Sequence, residues 1–201
     1  MATIFVVSGP SGAGKSTLIE RLNLKKMNIV WSVSVTTRRP RRGERDGVNY
    51  RFITRDEFEQ MVVRNEFVEW ATVYDAAYGT SRPFIDQALA AGRDLLLDID
   101  SQGAKKIREA YPNRTVTIFV MPESESVLQQ RLTGRGTDDP LIIERRMAVA
   151  KSEMACAAAY DYVLINDDVD RAVAALRSIV IASRCRAIEM LPRIAEIIKT
   201  R

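Results

Sequence analysis

A glycine-rich stretch near the start of the chain has the composition and spacing of a phosphate-binding loop. Gly9-Pro-Ser-Gly-Ala-Gly14-Lys15-Ser16 matches the pattern G-x-x-x-x-G-K-[ST] at every fixed position. It follows an apolar run and precedes a helical pattern, the context in which backbone N–H groups curl around phosphate oxygens. The pattern predicts that Lys15 reaches the β and γ phosphates of a nucleoside triphosphate and that the Ser16 hydroxyl binds Mg²⁺.

Two carboxylates end a second apolar run and are candidates for the other half of a triphosphate site. In Leu95-Leu-Leu-Asp98-Ile-Asp100, Asp98 and Asp100 would point to the same face of a strand. Together they could serve the water shell of a metal ion and a donor group of a substrate. The alternative is that both carboxylates cap the helix that follows.

Four arginines crowd five positions in the stretch Arg38-Arg39-Pro40-Arg41-Arg42. Such a cluster is repulsive unless an anion lies among the side chains, and guanidinium groups pair with phosphate oxygens in a bidentate manner. The stretch therefore favours a site for a dianionic monophosphate. A solvated basic loop and an RNA contact are the alternatives.

The composition restricts the chemistry and the setting. The 201 residues include no histidine, which favours reactions driven by positioned cations, such as phosphoryl transfer. The two cysteines, Cys156 and Cys185, have no spacing typical of a metal site or a disulfide framework, and no leader pattern is visible, so we expect a reducing cytoplasm. No apolar run approaches the roughly 20 residues that span a bilayer, so no membrane partner is expected.

These residues must be positioned by alternating strands and helices. Apolar runs predict strands at Thr3–Ser8, Ile29–Ser34, Asp94–Ile99, Thr115–Val120 and Tyr162–Ile165. Amphipathic stretches predict helices at Lys15–Asn23, Pro83–Ala91, Gln102–Ala110, Ser124–Leu132, Leu141–Ala158 and Val169–Arg186. The alternation predicts an α/β domain with a mainly parallel sheet flanked by helices.

One block breaks the alternation and is interpreted as an inserted lobe. Residues Asn49–Thr80 have the pattern of short strands around one helix. The capping box Thr54-Arg-Asp-Glu57 marks the start of this helix, and its buried face would contain Phe58, Met61 and Val62.

The tail after Arg186 has its own apolar period. Ile188, Leu191, Ile194 and Ile198 recur at helical spacing, with a break expected at Pro192. The tail either packs on its own domain or forms a contact between copies in a homo-oligomer.

Several separated blocks resemble the guanylate kinase family in the same order along the chain. They are the phosphate loop with Pro10, Ser32-Val-Ser34-Val-Thr36-Thr37-Arg38, Asn65-Glu-Phe-Val-Glu69-Trp70, Tyr78-Gly-Thr80, Asp98-Ile-Asp100-Ser-Gln-Gly103, Arg131-Leu-Thr-Gly-Arg135-Gly-Thr137 and Asn166-Asp-Asp168. The resemblance extends from Ile4 to about Arg186.

It implies the fold of a phosphate-loop nucleoside monophosphate kinase, a single domain over residues 1–201. The core would comprise about 1–33, 81–125 and 156–186, with a GMP-binding lobe at about 34–80, a helical lid at about 126–155 and a helical tail at 187–201.

The resemblance also implies the reaction and the residues that perform it. The γ-phosphate of ATP would pass to GMP, and to dGMP, with Mg²⁺ bound to ATP. ATP would be held by Gly9, Pro10, Ser11, Gly12, Ala13, Gly14, Lys15, Ser16, Thr17, Arg131, Arg135 and Asn166, and GMP by Ser34, Arg38, Arg41, Tyr50, Glu69, Tyr78, Thr80 and Asp98. The catalytic residues would be Lys15, Arg38, Arg131, Arg135 and Arg146, and Ser16 would bind the metal, with Asp100 acting through water.

The chemistry of guanine fits this assignment. Its N1–H and N2–H₂ donors can both be accepted by a carboxylate such as Glu69, while a hydroxyl of Ser34 or Thr80 can donate to O6. AMP would leave that carboxylate unpaired, which can discriminate by roughly 10⁴ to 10⁵. One departure is Ala77, where the family often has a second tyrosine.

Two other functions are weighed against this one. Kinases for ribose bisphosphate share the fold and the phosphate loop but would not need Glu69 or Tyr78-Gly-Thr80. Scaffold modules that resemble guanylate kinases bind phosphopeptides and have typically lost the phosphate loop, which is intact here. We therefore expect small-molecule substrates, and no nucleic acid, as the partners.

Overall fold

The chain alternates strands and helices, and the computed structural model describes residues 2–41, 43–73, 75–133 and 140–199. The strands are β1 (Ile4–Ser8), β2 (Ile29–Trp31), β3 (Val35–Thr36), β4 (Arg51–Phe52), β5 (Phe67–Val73), β6 (Ala76–Ser81), β7 (Asp94–Asp98), β8 (Thr115–Pro122) and β9 (Tyr162–Asn166). The helices are α1 (Lys15–Leu22), α2 (Arg55–Val63), α3 (Arg82–Ala90), α4 (Ser101–Ala110), α5 (Glu125–Thr133), α6 (Pro140–Ala155), α7 (Val169–Arg184) and α8 (Ala187–Lys199).

The central sheet has five parallel strands in the order β2-β7-β1-β8-β9. Phe5 and Val7 of β1 pack in one core with α1 and α7, whereas Ile4 and Val6 pack in a second core with α3 and α4. Burial on both faces explains why these strands are uninterrupted apolar runs. The predicted fold class, a parallel sheet flanked by helices, is confirmed.

A second sheet of four strands, in the order β4-β3-β6-β5, contains the short strands predicted in Asn49–Thr80 and also β3, which precedes that block. Phe58 and Met61 of α2 are buried there against Val35, Phe67 and Ala77, while Val62 is only partly buried. The predicted capping box is present at the start of α2. This small core packs α2 against the second sheet, while Val68 of β5 packs against the core formed by Ile4 and Val6.

Three differences from the sequence prediction go beyond shifts of one or two residues at an element's end. The predicted strand Ile29–Ser34 ends at Trp31, because the chain then leaves the central sheet and β3 pairs with β4 and β6. The predicted helix Leu141–Ala158 is α6 followed by the 3₁₀ turn Cys156–Ala159. Helix α8 continues through Pro192, where a break was expected, because proline removes one backbone donor and exposure lets water satisfy the freed carbonyl.

Candidate active site

The phosphate loop joins β1 to α1, and two of its positions require glycine because each lies close to a different neighbouring residue. Gly9 has φ +143° and Gly14 has φ +93°, both in the region that favours glycine. A Cβ at Gly9 would collide with the carbonyl oxygen of Val120, and one at Gly14 would collide with the amide of Asn166. Close approach of the loop to β8 and β9 therefore depends on these glycines.

Lys15 and Asp98 meet where the carboxyl ends of β1 and β7 lie side by side. Lys15 Nζ donates to the Gly9 carbonyl at 2.6 Å and lies 4.0 Å from Asp98 Oδ1. Burial raises the pKa of Asp98, and the positive charge of Lys15 opposes that rise. The lysine is thus within reach of both the phosphate loop and the carboxylate at the end of β7.

One cavity of about 410 Å³ opens beside the phosphate loop. Arg131 Nη1 donates to the Gly12 carbonyl at 3.2 Å, and Asn166 Nδ2 donates to the Ala13 carbonyl at 2.7 Å. Asn166 is 2% exposed, and its Oδ1 is buried with no hydrogen-bond partner among the described residues. The cavity walls comprise Ser11, Gly12, Gly14, Lys15, Ser16, Thr17, Arg131, Asn166 and Val169. We call this the donor cavity.

A second cavity of about 310 Å³ lies between the carboxyl end of β7 in the central sheet and strands β5 and β6 of the second sheet. Its walls comprise Ser34, Arg38, Arg41, Tyr50, Glu69, Ala71, Tyr78, Gly79, Asp98, Ile99 and Asp100. Seven of the eight residues that the resemblance assigns to GMP are therefore together. We call this the acceptor cavity.

Thr80 is the eighth residue and does not line the acceptor cavity. It is 1% exposed, and its hydroxyl donates to Glu69 Oε1 at 2.5 Å. Burial raises the pKa of Glu69, and the charge of Asp100 adds to this effect, whereas the Thr80 hydrogen bond opposes it. Gly103 of α4 lets the carboxylate lie close, since a Cβ there would be 3.3 Å from Glu69 Cδ.

Arg38 is fixed by an acid that the sequence reasoning did not single out. Its Nη2 lies 2.9 Å from Glu44 Oε1, and its guanidinium lies 5.3 Å from the centre of the Tyr50 ring. Tyr50 in turn meets Tyr78 edge-on, with 6.0 Å between ring centroids. The only available signal was the position of Glu44 three residues after Arg41.

Asp98 and Asp100 have different roles. Strand β7 ends at Asp98, so the two carboxylates do not share a strand face as predicted. Asp100 is the N-cap of α4, and its Oδ1 accepts the Gly103 N–H at 2.7 Å. The capping alternative therefore applies to Asp100 alone.

The structure describes two of the three arginines that the resemblance assigns to the lid. Arg131 lies on α5 beside the phosphate loop, Arg146 lies partly buried on α6, and Arg135 falls outside the described residues. Glu153 of α6 was missed, because an acid on a helix forms no motif. Burial raises the pKa of Glu153, the positive charge of Lys15 lowers it, and the negative charge of Asp100 raises it. Ionisation of this carboxylate therefore depends on charges of the site.

Comparison with known proteins settles the family. Residues 1–183 match the family model described as guanylate kinase. The chain belongs to the guanylate kinase family. It is 50% identical over 190 residues to the guanylate kinase of Thiobacillus denitrificans, covering 94% of this chain and 90% of the relative. Over 197 residues it is 47% identical to that of Alkalilimnicola ehrlichii, covering 98% and 97%.

A solved structure agrees. The crystal structure of guanylate kinase from Anaplasma phagocytophilum aligns with a TM-score of 0.77 at 34% identity, covering 92% of this chain and 88% of that one. The predicted family and enzyme class are confirmed, and the activity is the ATP-dependent phosphorylation of GMP to GDP. In the part of the chain that the structure describes, no helix is long and apolar enough to cross a membrane.

Proposed function

We propose that GMP binds in the acceptor cavity, that ATP binds in the donor cavity, and that the phosphoryl group passes between them beside Lys15. The observation that carries this assignment is the 4.0 Å separation of Lys15 Nζ, in the donor cavity, from Asp98 Oδ1, in the acceptor cavity. The two sets of side chains that would hold the two substrates are therefore adjacent at Lys15.

Phosphate and base would occupy opposite parts of the acceptor cavity. Arg38, Arg41, Tyr50 and Tyr78 would hold the GMP phosphate. Glu69 would accept from N1–H and N2–H₂ of guanine, with Ser34 donating to O6. Because the Thr80 hydroxyl donates to Glu69, we assign it to orienting that carboxylate rather than to touching the base. The same contacts would admit dGMP.

Catalysis would consist of alignment and neutralisation of charge, since no covalent intermediate is required. Lys15 and Arg131 line the donor cavity, and Arg38 lines the acceptor cavity. Arg135 and Arg146 are proposed to join them from the lid, residues 126–155, as it closes with the lobe at 34–80 over the core. Closure would keep water from the γ-phosphate.

The donor set suits Mg²⁺ that arrives with ATP. Ser16 offers an exposed hydroxyl in the first turn of α1, with the carboxylate of Asp100 available through water. Among the described residues no group of three or more Asp, Glu or Cys side chains could hold a metal alone, and Mg²⁺ usually keeps waters and phosphate oxygens as ligands. The ion, when bound, would neutralise the β and γ phosphate oxygens.

We also propose a cytoplasmic setting and self-association through α8. From residue 191 to 199 every residue of α8 is exposed, including Leu191 at 55% and Ile198 at 68%. In an antiparallel pair of α8 helices centred between Ile194 and Ala195, Leu191 would face Ile198 of the second copy. Arg193 and Glu196 lie on the opposite side of α8 and would be outside this contact. The polar side is mixed in charge and lacks the basic excess of a lipid-binding helix.

The assignment of the base-reading carboxylate is tested by comparing Glu69→Gln with Lys15→Ala. Glu69→Gln should lower kcat/KM for GMP by about 100-fold, because a charged hydrogen-bond acceptor is lost, and should leave the KM for ATP unchanged. Lys15→Ala should lower chiefly kcat. Steady-state assays with GMP, dGMP, AMP and ribose 1,5-bisphosphate are the measurement, and an unchanged preference for GMP over AMP in Glu69→Gln would refute the assignment.

A further inference from the structure

Glu44 touches both arginines that are proposed to hold the acceptor phosphate. Its Oε1 lies 2.9 Å from Arg38 Nη2, and its Oε2 accepts the backbone N–H of Arg41 at 2.7 Å. The Glu44 side chain is 19% exposed and that of Arg38 is 17% exposed, so the pair is largely shielded from water. One carboxylate thus links two residues of the phosphate subsite.

The backbone between the arginines is held by the same residue. The Glu44 N–H donates to the Arg41 carbonyl at 3.0 Å and closes a turn. Gly43 in this turn has φ +89°, and a Cβ there would meet nothing within 4 Å, so conformation and not space favours glycine. Main-chain and side-chain hydrogen bonds of Glu44 therefore lock the turn that carries Arg41.

The guanidinium of Arg38 is held on its other sides as well. Its Nη1 donates to the Arg39 carbonyl at 2.9 Å, and the group lies 5.3 Å from the ring centre of Tyr50 and 5.8 Å from that of Phe52. A long, flexible side chain loses rotamer freedom when it is fixed. Because these contacts fix it before substrate binds, a phosphate would not have to order it.

We propose that Glu44 is a positioning residue, which presets Arg38 and Arg41 at the distance from the guanine subsite that the phosphate of GMP requires. The proposal rests on the proposed function, which places that phosphate at these arginines. A carboxylate beside an anion site also repels the anion, so its presence is favourable only if orientation outweighs charge. The hydrogen bond from Arg38 lowers the pKa of Glu44 and so favours the ionised form of this carboxylate.

If Glu44 acts by orienting the arginines, its replacement should weaken binding of GMP, whose phosphate is tethered to guanosine. The same replacement should not weaken binding of free inorganic phosphate. Glu44→Gln should weaken GMP binding about tenfold, because one of two facing donors loses its acceptor. Guanosine binding should stay within about twofold, since guanosine has no phosphate. Inorganic phosphate, which is free to follow the loosened arginines, should bind as well as before or better, because a negative charge is removed. Calorimetric titration of each ligand into the full chain is the measurement.

A second variant distinguishes the effect of side-chain length at position 44 from the effect of its charge. Glu44→Asp keeps the charge but is one methylene shorter, so it should also weaken GMP binding. Glu59→Gln is the matched control, because it removes an exposed acid of the same lobe, paired with Arg55 at 3.3 Å, and should leave all three affinities unchanged. Melting temperatures of each variant show whether it is folded, and Glu44→Asp carries the test if Glu44→Gln is not.

Two results would overturn the positioning role. GMP affinity that is unchanged or higher in Glu44→Gln would mean that charge alone matters, and a GMP loss shared equally by guanosine would mean that the lobe as a whole was damaged. Failure of the proposed function looks different: Arg38→Ala would then leave the affinity for GMP unchanged in the wild-type background.

Discussion

Burial sets the charge states of the carboxylates in the acceptor cavity. The pKa of Glu69 and the pKa of Asp98 are both raised, in each case chiefly because burial penalises the charged form. Opposing contacts limit the rise: the hydroxyl of Thr80 at Glu69 and the charge of Lys15 at Asp98. A carboxyl group can accept from both N–H donors of guanine only when it is ionised, so these two contacts favour the form that suits guanine.

The raised pKa of Glu69 predicts a pH dependence of GMP binding. Below its folded-state pKa, which lies above the ordinary value of 4.5, the carboxyl is protonated and loses acceptor capacity. The KM for GMP should therefore rise on acidification, starting above pH 4.5. The phosphate of GMP titrates near pH 6 in any variant, so the measurement is the difference between wild type and Glu69→Gln, which should lack the Glu69 step. Parallel profiles would contradict the prediction.

Short elements of the lobe depend on local hydrogen bonds because its core is small. The Thr54 hydroxyl accepts the Glu57 N–H at 3.2 Å, and Glu57 Oε2 accepts the Thr54 N–H at 2.8 Å. Helix α2 has only nine residues, which is marginal for an isolated helix in water. Its start is therefore determined by capping, and its orientation by Phe58 and Met61 packing under the sheet.

Removing the cap should reduce stability without affecting the reaction. Thr54→Ala should lower the free energy of unfolding by about 1 kcal/mol, because the backbone N–H of Glu57 loses its acceptor, the Thr54 hydroxyl. Denaturant titration is the measurement, and the KM for GMP should stay within about twofold. Ser178→Ala is the control, since that hydroxyl donates to Ala174 O within α7 at 2.9 Å and caps no helix. An equal loss in both variants would contradict the capping role.

At the scale of the molecule, the acceptor cavity lies where two sheets meet. Asp98 at the end of β7 and the loop after β1 come from the central sheet, while Glu69, Arg38 and Tyr78 come from the second sheet or its loops. Neither sheet contains the complete acceptor cavity. The lining of the donor cavity comes from the loop after β1 and from α1, α5, β9 and α7, so movement of the second sheet relative to the central one would open or close the acceptor cavity alone.

Self-association through α8 makes a prediction at the same scale. Leu191→Asp should shift the chain to monomer at micromolar concentration, because an aspartate would be buried against Ile198 of the second copy. Arg193→Glu should leave association unchanged, because Arg193 lies on the side of α8 opposite Leu191 and Ile198. Analytical ultracentrifugation is the measurement, with Val63→Asp, at an 86% exposed position of α2, as the control. A wild-type chain that is monomeric at all concentrations, or association that survives Leu191→Asp, would refute the pairing.

Motifs with fixed local spacing were predictable from the sequence. The phosphate loop, the capping box at Thr54 and the apolar runs of the central strands depend on neighbours within a few residues, so their patterns indicate their structures directly. The resemblance supplied Glu69 and Arg38 because they occur in blocks that the family shares. Arg135 lies outside the described residues, so its assignment stays a prediction.

The tertiary structure was needed to determine which side chains contact each other. The Thr80 hydroxyl could donate to a base or to Glu69, and Asp100 could serve a metal or cap α4; sequence spacing does not distinguish these, because each choice depends on contacts between elements. Glu44 had no motif, yet folding of the turn at Gly43 places it between Arg38 and Arg41. The types of the chemical groups are local properties of the chain, whereas their pairing depends on packing across two sheets.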